Sequence, residues 1–168
     1  MSPAELRALP RVYLHPGEYF SGFDHVVVST ILGSCIAITF FHPGRSWAAM
    51  CHALLPIQPG HLRNLSAEDC TRYVDCALAR MLSDADAQRV PRRELVVKLF
   101  GGANMFRPAP HTAPVGQKNT EAAVRHLQEA GLRITISDVL GDRGRRLLFH
   151  TATGDIYLRR MPPPESEP

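Results

Sequence analysis

Residues 26–41 read Val26-Val-Val-Ser-Thr-Ile-Leu-Gly-Ser-Cys-Ile-Ala-Ile-Thr-Phe-Phe41, two apolar runs that meet at Gly33 and Ser34. The β-branched residues of both runs favour strands, and the small residues between them allow a tight turn and the close approach of another molecule. Cys35 follows this turn directly. We therefore predict a thiol presented by a rigid scaffold. The competing interpretation is an ordinary buried cysteine, because unpaired cysteine is among the most buried residue types.

A second apolar run, residues 47–56, contains a single histidine, His52. An imidazole can accept the proton of a thiol and later protonate a leaving group, so His52 is the natural partner of Cys35. The turn residues 42–46 between the two runs predict a hairpin, which would bring both side chains to one end of a sheet. Without a cysteine partner, His52 would be interpreted as a core histidine bonded to a carbonyl.

Four short motifs follow one another along the chain: Leu32-Gly-Ser-Cys35, His52-Ala-Leu-Leu-Pro56, Lys98-Leu-Phe-Gly-Gly-Ala-Asn-Met-Phe106 and Val115-Gly-Gln-Lys-Asn119. None of them is specific alone. In this order and spacing they resemble the CheD family of chemoreceptor glutamine deamidases, and the resemblance extends from about residue 12 to residue 161.

The resemblance implies hydrolysis of the side-chain amide of protein glutamines through a cysteine thioester, with release of ammonia. Cys35 would be the nucleophile and His52 its acid and base. In the family a threonine six residues before the cysteine orients the imidazole, and that position is Ser29 here, with Thr30 beside it. A serine keeps the hydroxyl but lacks the methyl group that restricts χ1. We predict Ser29 as the third catalytic residue, with Thr30 as the open alternative.

Backbone N–H groups near the thiol are expected to stabilise the oxyanion that forms during amide hydrolysis. The small residues that would bring the backbone close to the site are Gly33, Ser34, Gly101 and Gly102. For the last two, a plain tight turn after a buried strand is the competing interpretation.

The predicted fold class is α+β, with mixed sheets and helices that cover one face. The resemblance implies an alpha-beta-beta layered sandwich. We predict one domain over residues 1–161 and a disordered tail over 162–168. Helices are predicted from the cap Ser66 to about residue 83 and, after the cap Asn119, over 120–130. Strands are predicted over 11–19, 26–30, 35–42, the run around His52, 95–100, 132–137, 145–151 and 155–159.

The charge balance is slightly basic, since 19 lysines and arginines exceed 16 acidic residues. An excess of this size does not indicate nucleic-acid binding and suits an acidic protein partner equally well. No stretch has the apolar length of a membrane span, and the N-terminus lacks the apolar core of a signal peptide. We therefore expect a cytoplasmic protein.

Four cysteines, at positions 35, 51, 70 and 76, show no CxxC spacing. In a reducing compartment we expect all four to be thiols. Cys70 and Cys76 fall on one predicted helix at a spacing that places them on different faces. The sequence predicts no metal site and no cofactor.

The resemblance implies methyl-accepting chemoreceptors as substrates and, in some systems, a CheC-type phosphatase as a partner. Two other functions stay open. A non-catalytic chemotaxis adaptor that binds the receptor or the phosphatase is supported only by the serine at position 29. A cysteine peptidase could use the same Cys35 and His52, but the chain shows no obvious third residue of a peptidase motif.

Overall fold

A computed structural model describes residues 3–60, 65–106 and 110–163. These residues form nine strands, four α-helices and one short 3₁₀ helix over Arg92–Glu94. The strands are β1 (Arg11–Tyr13), β2 (Tyr19–Gly22), β3 (Val27–Leu32), β4 (Ile36–His42), β5 (Trp47–Cys51), β6 (Val96–Gly101), β7 (Ile134–Val139), β8 (Arg145–His150) and β9 (Ile156–Arg160). The helices are α1 (Pro3–Ala8), α2 (Ala67–Cys70), α3 (Val74–Ala87) and α4 (Val115–Glu129).

The strands build two mixed sheets. One has the order β1-β3-β8-β9 and the other the order β2-β5-β4-β6-β7. The pairs β1–β3 and β6–β7 are parallel, and the remaining neighbours are antiparallel. Helices α3 and α4 pack against each other and against the five-stranded sheet. This arrangement confirms the predicted α+β class with helices, sheet and sheet in successive layers.

Two apolar cores separate the three layers. The first lies between the helices and the five-stranded sheet and contains Ile38, Phe40 and Leu127. The second lies between the sheets and contains Ala37 and Phe41. Successive residues of β4 thus enter opposite cores, as the alternation of a strand requires. Because both faces of β4 are buried, residues 36–41 are apolar except for Thr39 and do not alternate with polar residues.

The hairpin predicted from the two central apolar runs is confirmed. Strands β4 and β5 pair antiparallel with Thr39 opposite Met50, and an isolated bridge continues the pairing to Ile36 and Ala53. The two sequence motifs that contain the cysteine and the histidine therefore meet at one end of the hairpin.

The single helix predicted over residues 66–83 is wrong, although its N-cap is right. The hydroxyl of Ser66 accepts a hydrogen bond from the backbone N–H of Asp69 at 3.1 Å, as a capping residue does. The helix that it starts ends at Cys70, and a new helix begins at Val74. The residues between them pair instead with the chain that follows β5, because the carbonyl of Arg72 accepts hydrogen bonds from the N–H groups of Leu54 and Leu55.

The break between the two helices also changes the relative position of Cys70 and Cys76. Cys70 and Cys76 lie on different helices with their Cα atoms 5.7 Å apart, and they form a disulfide. The expectation that all four cysteines are thiols is therefore wrong for this pair. Cys35 and Cys51 are free.

Helix α4 begins earlier than predicted, at Val115, with Pro114 at its N-cap position. Asn119 is consequently not a cap but a fully buried residue inside the helix. Capping preferences alone favoured asparagine at the helix start, because its side chain can satisfy free backbone N–H groups.

Among the helices of the described ranges, none combines the length and the apolar character that a membrane span needs. Residues 164–168 of the predicted disordered tail lie outside the described residues, as do residues 61–64.

Candidate active site

Cys35 lies where the chain passes from one sheet to the other. Strand β3 ends in the four-stranded sheet at Leu32, and β4 begins in the five-stranded sheet at Ile36. Gly33, Ser34 and Cys35 form the connection, and Cys35 is half-buried. The prediction of a thiol next to a tight turn on a rigid scaffold is thus confirmed in its geometry.

The Gly101–Gly102 turn holds this connection in place. The N–H of Gly102 donates to the carbonyl of Cys35 at 2.8 Å, and the N–H of Ala103 donates to the carbonyl of Gly33 at 2.9 Å. Both glycines have positive φ angles, 104° and 67°. A Cβ atom at Gly101 would overlap the Cys35 carbonyl oxygen, so glycine is required by close approach as well as by conformation.

His52 follows β5 and is 2% exposed. Its backbone is fixed by an N–H donated to the Glu18 carbonyl at 3.0 Å and by a carbonyl that accepts from Gly17 at 2.7 Å. The register that pairs Ile36 with Ala53 places His52 opposite Ala37. Because alternate residues of a strand share a face, the side chains of Cys35 and His52 project to the same side of the sheet.

The hydroxyl beside His52 belongs to Thr30. The Thr30 hydroxyl donates its proton to the Leu14 carbonyl at 2.7 Å. Its oxygen therefore accepts the Nδ1–H of His52 at 2.7 Å, and the same N–H lies 3.2 Å from the Leu14 carbonyl. These contacts place the proton on Nδ1 and leave the Nε2 lone pair free to accept another. In the described part of the chain Nε2 is buried without a hydrogen-bond partner.

Ser29 lies on the opposite face of β3. Val28 and Leu32 face the core between the sheets, so Thr30 shares their side and Ser29 does not. The Ser29 hydroxyl is instead directed at the carbonyl of Val12, at 3.4 Å. Of the two hydroxyls that the sequence left open, the one that contacts the imidazole is therefore that of Thr30. Regular alternation along the strand would have shown this, but residues on both faces of β3 are apolar and hide it.

Burial shifts the titration of both central groups. It raises the pKa of the Cys35 thiol above its usual range. It also lowers the pKa of His52, an effect that the Leu14 carbonyl partly opposes. Both shifts favour the uncharged form, so at neutral pH the site holds a thiol and a neutral imidazole with a free Nε2.

A cleft of about 440 Å³ opens beside Cys35. It is mainly apolar in character, and Phe106 at its rim is 80% exposed. The residues that line it come from the connection before β4, from the segment after the double-glycine turn and from the start of α4. They are Gly33, Ser34, Cys35, Ala103, Asn104, Met105, Phe106, Thr112, Ala113, Pro114, Val115 and Gly116.

Asn119 lies near the site, although the sequence predicts only a helix cap at this position. The side-chain amide of Asn119 donates to the carbonyls of Ser34 at 3.0 Å and Leu54 at 2.8 Å. The motif Val115–Asn119 contributed to the family resemblance, but its asparagine was interpreted as a helix cap. A buried polar residue in a helix interior has no signal in the sequence that separates it from a cap.

Comparison with known proteins identifies the family. A family model described as CheD chemotactic sensory transduction matches residues 54–160. The chain is 41% identical over 153 residues to a protein of Geobacter sulfurreducens named "Probable chemoreceptor glutamine deamidase CheD 2", and the alignment covers 91% of each chain. It is 37% identical over 166 residues to "Probable chemoreceptor glutamine deamidase CheD" of Maridesulfovibrio salexigens, with 95% of this chain and 96% of that one covered.

Among solved structures, the Bacillus licheniformis hypothetical protein YfiH matches with a TM-score of 0.46 and 12% identity, covering 74% of this chain and 51% of the other. That likeness is too distant to define the fold. The family model spans more than half of the chain, and the two named relatives align over nearly their full length. The resemblance predicted from four sequence motifs is thereby confirmed, and the chain belongs to the CheD family.

Proposed function

We propose that this protein is a chemoreceptor glutamine deamidase, which converts specific glutamines of methyl-accepting chemotaxis proteins to glutamate. One observation supports it above all: Thr30 fixes the imidazole of His52 with its Nε2 free, on the sheet face that also bears the half-buried Cys35. The names of the relatives give the substrate class. The reaction would take place in the cytoplasm, where these receptors carry their helical signalling domains.

The first half of the reaction forms a thioester. His52 Nε2 accepts the Cys35 thiol proton as Sγ attacks the carboxamide carbon of the substrate glutamine. A tetrahedral oxyanion results. When it collapses, the C–N bond breaks and His52 returns its proton to the departing nitrogen, which leaves as ammonia. The substrate remains attached to Cys35 as a γ-glutamyl thioester.

The second half hydrolyses this thioester. His52, again neutral, accepts a proton from a water molecule whose oxygen attacks the thioester carbon. The C–S bond then breaks and the proton passes to the Cys35 sulfur. One water is consumed, one ammonia is released, and the side chain becomes a carboxylic acid, which ionises to a carboxylate as its proton passes to the released ammonia. Because the resting pair is neutral, His52 acts as the base in both halves.

We assign stabilisation of the oxyanion to the connection between the sheets. Gly102 donates its N–H to the Cys35 carbonyl and so fixes the turn from behind. In the described chain the N–H groups of Ser34 and Cys35 meet no backbone acceptor. These two donors, presented by the Gly33–Cys35 turn beside the cleft, are proposed for the oxyanion, and Gly101 and Gly102 are proposed to position them.

The experiment is peptide mass spectrometry of a purified receptor signalling fragment after incubation with the protein. Wild-type protein should convert particular glutamines to glutamate, a mass increase of about one dalton, whereas Cys35→Ala and His52→Ala should not. Cys51→Ala is the matched control, since this thiol is fully buried in the other core. Conversion by Cys35→Ala, or none by the wild type, would contradict the proposal.

A CheC-type phosphatase is proposed as a partner from the family resemblance, to be tested by co-elution of the two purified proteins. The hydrogen bond between Thr30 and His52 argues against the adaptor alternative, because that alternative is supported only by the serine at position 29. If the receptor fragment binds but no glutamine changes, the adaptor is the better description.

A further inference from the structure

Asn119 is a polar residue buried completely inside α4. Its amide nitrogen donates one hydrogen bond to the carbonyl of Ser34 and one to that of Leu54. Both acceptors are carbonyl oxygens, so both must be met by the NH2 end of the amide. Ser34 directly precedes the nucleophile, and Leu54 follows the catalytic histidine by two positions. One side chain thus joins the two catalytic segments.

The place of these bonds in the sheet explains why a side chain is needed. The backbone pairing of the hairpin reaches its last bridge at Ile36 and Ala53. Beyond it the segments part, and the N–H of Leu54 donates to the carbonyl of Arg72 instead. The Asn119 amide lies at this opening and replaces the ladder hydrogen bonds that the diverging strands no longer make.

The helix itself cannot shift easily. A Cβ atom at Gly116 would lie 2.5 Å from the carbonyl oxygen of Gly102 and 2.7 Å from that of Ala103. The first turn of α4 therefore packs backbone to backbone against the turn that holds the Cys35 carbonyl. Gly116 sets the distance of the helix from the site, and Asn119, one turn further along, reaches both catalytic segments.

Asparagine at this position is unfavourable for stability alone. It is a poor helix former, and its Oδ1 is buried without a partner among the described residues. An apolar residue of similar size would avoid the unsatisfied acceptor. The two carbonyls that the amide bridges are the feature that an apolar residue could not serve.

We propose that Asn119 is a positioning residue that sets the approach of the Cys35 sulfur to His52 Nε2. The inference rests on the roles given above to these two residues. It gives a role to Asn119, the last residue of the motif Val115–Asn119, whose first two residues line the cleft. Loss of the amide would let the turn before β4 and the segment after β5 move apart, so that proton transfer from the thiol becomes slow.

The test follows the rate of Cys35 alkylation by iodoacetamide between pH 5 and pH 10, read from the mass of the Cys35 peptide. In the wild type, His52 assists removal of the thiol proton, so the rate should level off near neutral pH. In Asn119→Leu the rate at pH 7 should drop by about tenfold to a hundredfold and rise steadily with pH, like that of an unassisted buried thiol. His52→Ala should give the same profile.

Leu127→Ala is the matched control, because Leu127 is an equally buried residue of α4 that lies in the core beneath the helix. It should lower stability and leave the pH profile unchanged. In deamidation assays Asn119→Leu should reduce kcat more than it raises KM, because most residues that line the cleft lie outside the turn before β4. Asn119→Ala repeats the test with a smaller side chain.

A wild-type pH profile in folded Asn119→Leu would overturn the proposal, as would an equal change in Leu127→Ala. Failure of both Asn119 variants to fold would also overturn it, in favour of a folding role. The alkylation assay contains no receptor. If the wild type deamidates nothing while the profile still depends on Asn119, the proposed function fails and the positioning role stands.

Discussion

Cys35 and Cys51 are carried by neighbouring strands of one sheet, yet their surroundings differ. Cys51 ends β5 on the face toward the helices, where it is fully buried and its pKa is raised to about 11. Cys35 precedes β4 on the other face, where it meets the cleft and the side of the sheet that bears His52. The comparison shows that strand face and strand end decide whether a thiol meets a cleft or becomes a small apolar core residue.

Alkylation should separate the two thiols most strongly. In native protein at pH 7.5, iodoacetamide should modify Cys35 at least about a thousandfold faster than Cys51, since Cys51 is reached only after unfolding. Peptide mass spectrometry at timed intervals measures both rates in one sample. Denatured protein is the control and should show similar rates. Comparable rates in the native state would remove the distinction between the two environments.

The two faces of β3 can be compared in the same way, with Thr30 on the inner face and Ser29 on the outer face. Thr30→Val keeps the shape of the side chain but removes the oxygen that accepts the His52 Nδ1–H, so kcat for receptor deamidation should decline by about tenfold to a hundredfold. Ser29→Ala is the paired variant and should stay within about twofold of the wild type. A larger loss for Ser29→Ala than for Thr30→Val would show that the outer face of β3 matters instead.

The Cys70–Cys76 disulfide supplies a third cysteine environment. It closes a loop of six residues, so reduction should cost about 2 kcal/mol of unfolding free energy by the chain-entropy relation. Urea unfolding with and without a phosphine reductant measures this. The double variant Cys70→Ser/Cys76→Ser should have the unfolding free energy of the reduced wild type, and this value should not change when the reductant is added. Equal stability in both redox forms of the wild type would contradict the expectation.

The smallest expected effect is a shift of the acidic limb in the pH dependence of deamidation. In the proposed mechanism His52 acts as a neutral base, and burial lowers its pKa below the ordinary 6.5. Deamidation should therefore be retained as the pH falls to 6.5 and lost only below it, when the imidazole becomes protonated. The pH dependence of kcat/KM measures the midpoint. A midpoint above 6.5 would mean that His52 is stabilised as a cation.

Much of the layered fold could be predicted because turn signals and β-branched runs are local properties. The hairpin of β4 and β5 and the pair of β8 and β9 follow from them directly. The break between α2 and α3 could not, since residues 71–73 contain neither glycine nor proline and are held by distant backbone partners. Tertiary contacts outside the segment decide such a boundary.

In the candidate site, too, some residues could be predicted from the sequence and others could not. Cys35 and His52 could be predicted from residue chemistry and from the hairpin that joins them. Thr30 could not be preferred over Ser29, because the apolar residues around both positions conceal which face is the inner one. The contacts of Asn119 could not be predicted because its partners are distant in the chain. Ser34 is 85 positions away and Leu54 is 65 positions away.

The passage of the chain between sheets at Gly33–Cys35 has a consequence for the newly made protein. Thr30 belongs to one sheet, while His52 extends from the other, so the imidazole gains its orientation only when the two sheets have docked. A half-assembled chain carries a cysteine of ordinary reactivity and an undirected histidine. Specific activity is therefore a direct gauge of the fraction of molecules whose layers are correctly assembled.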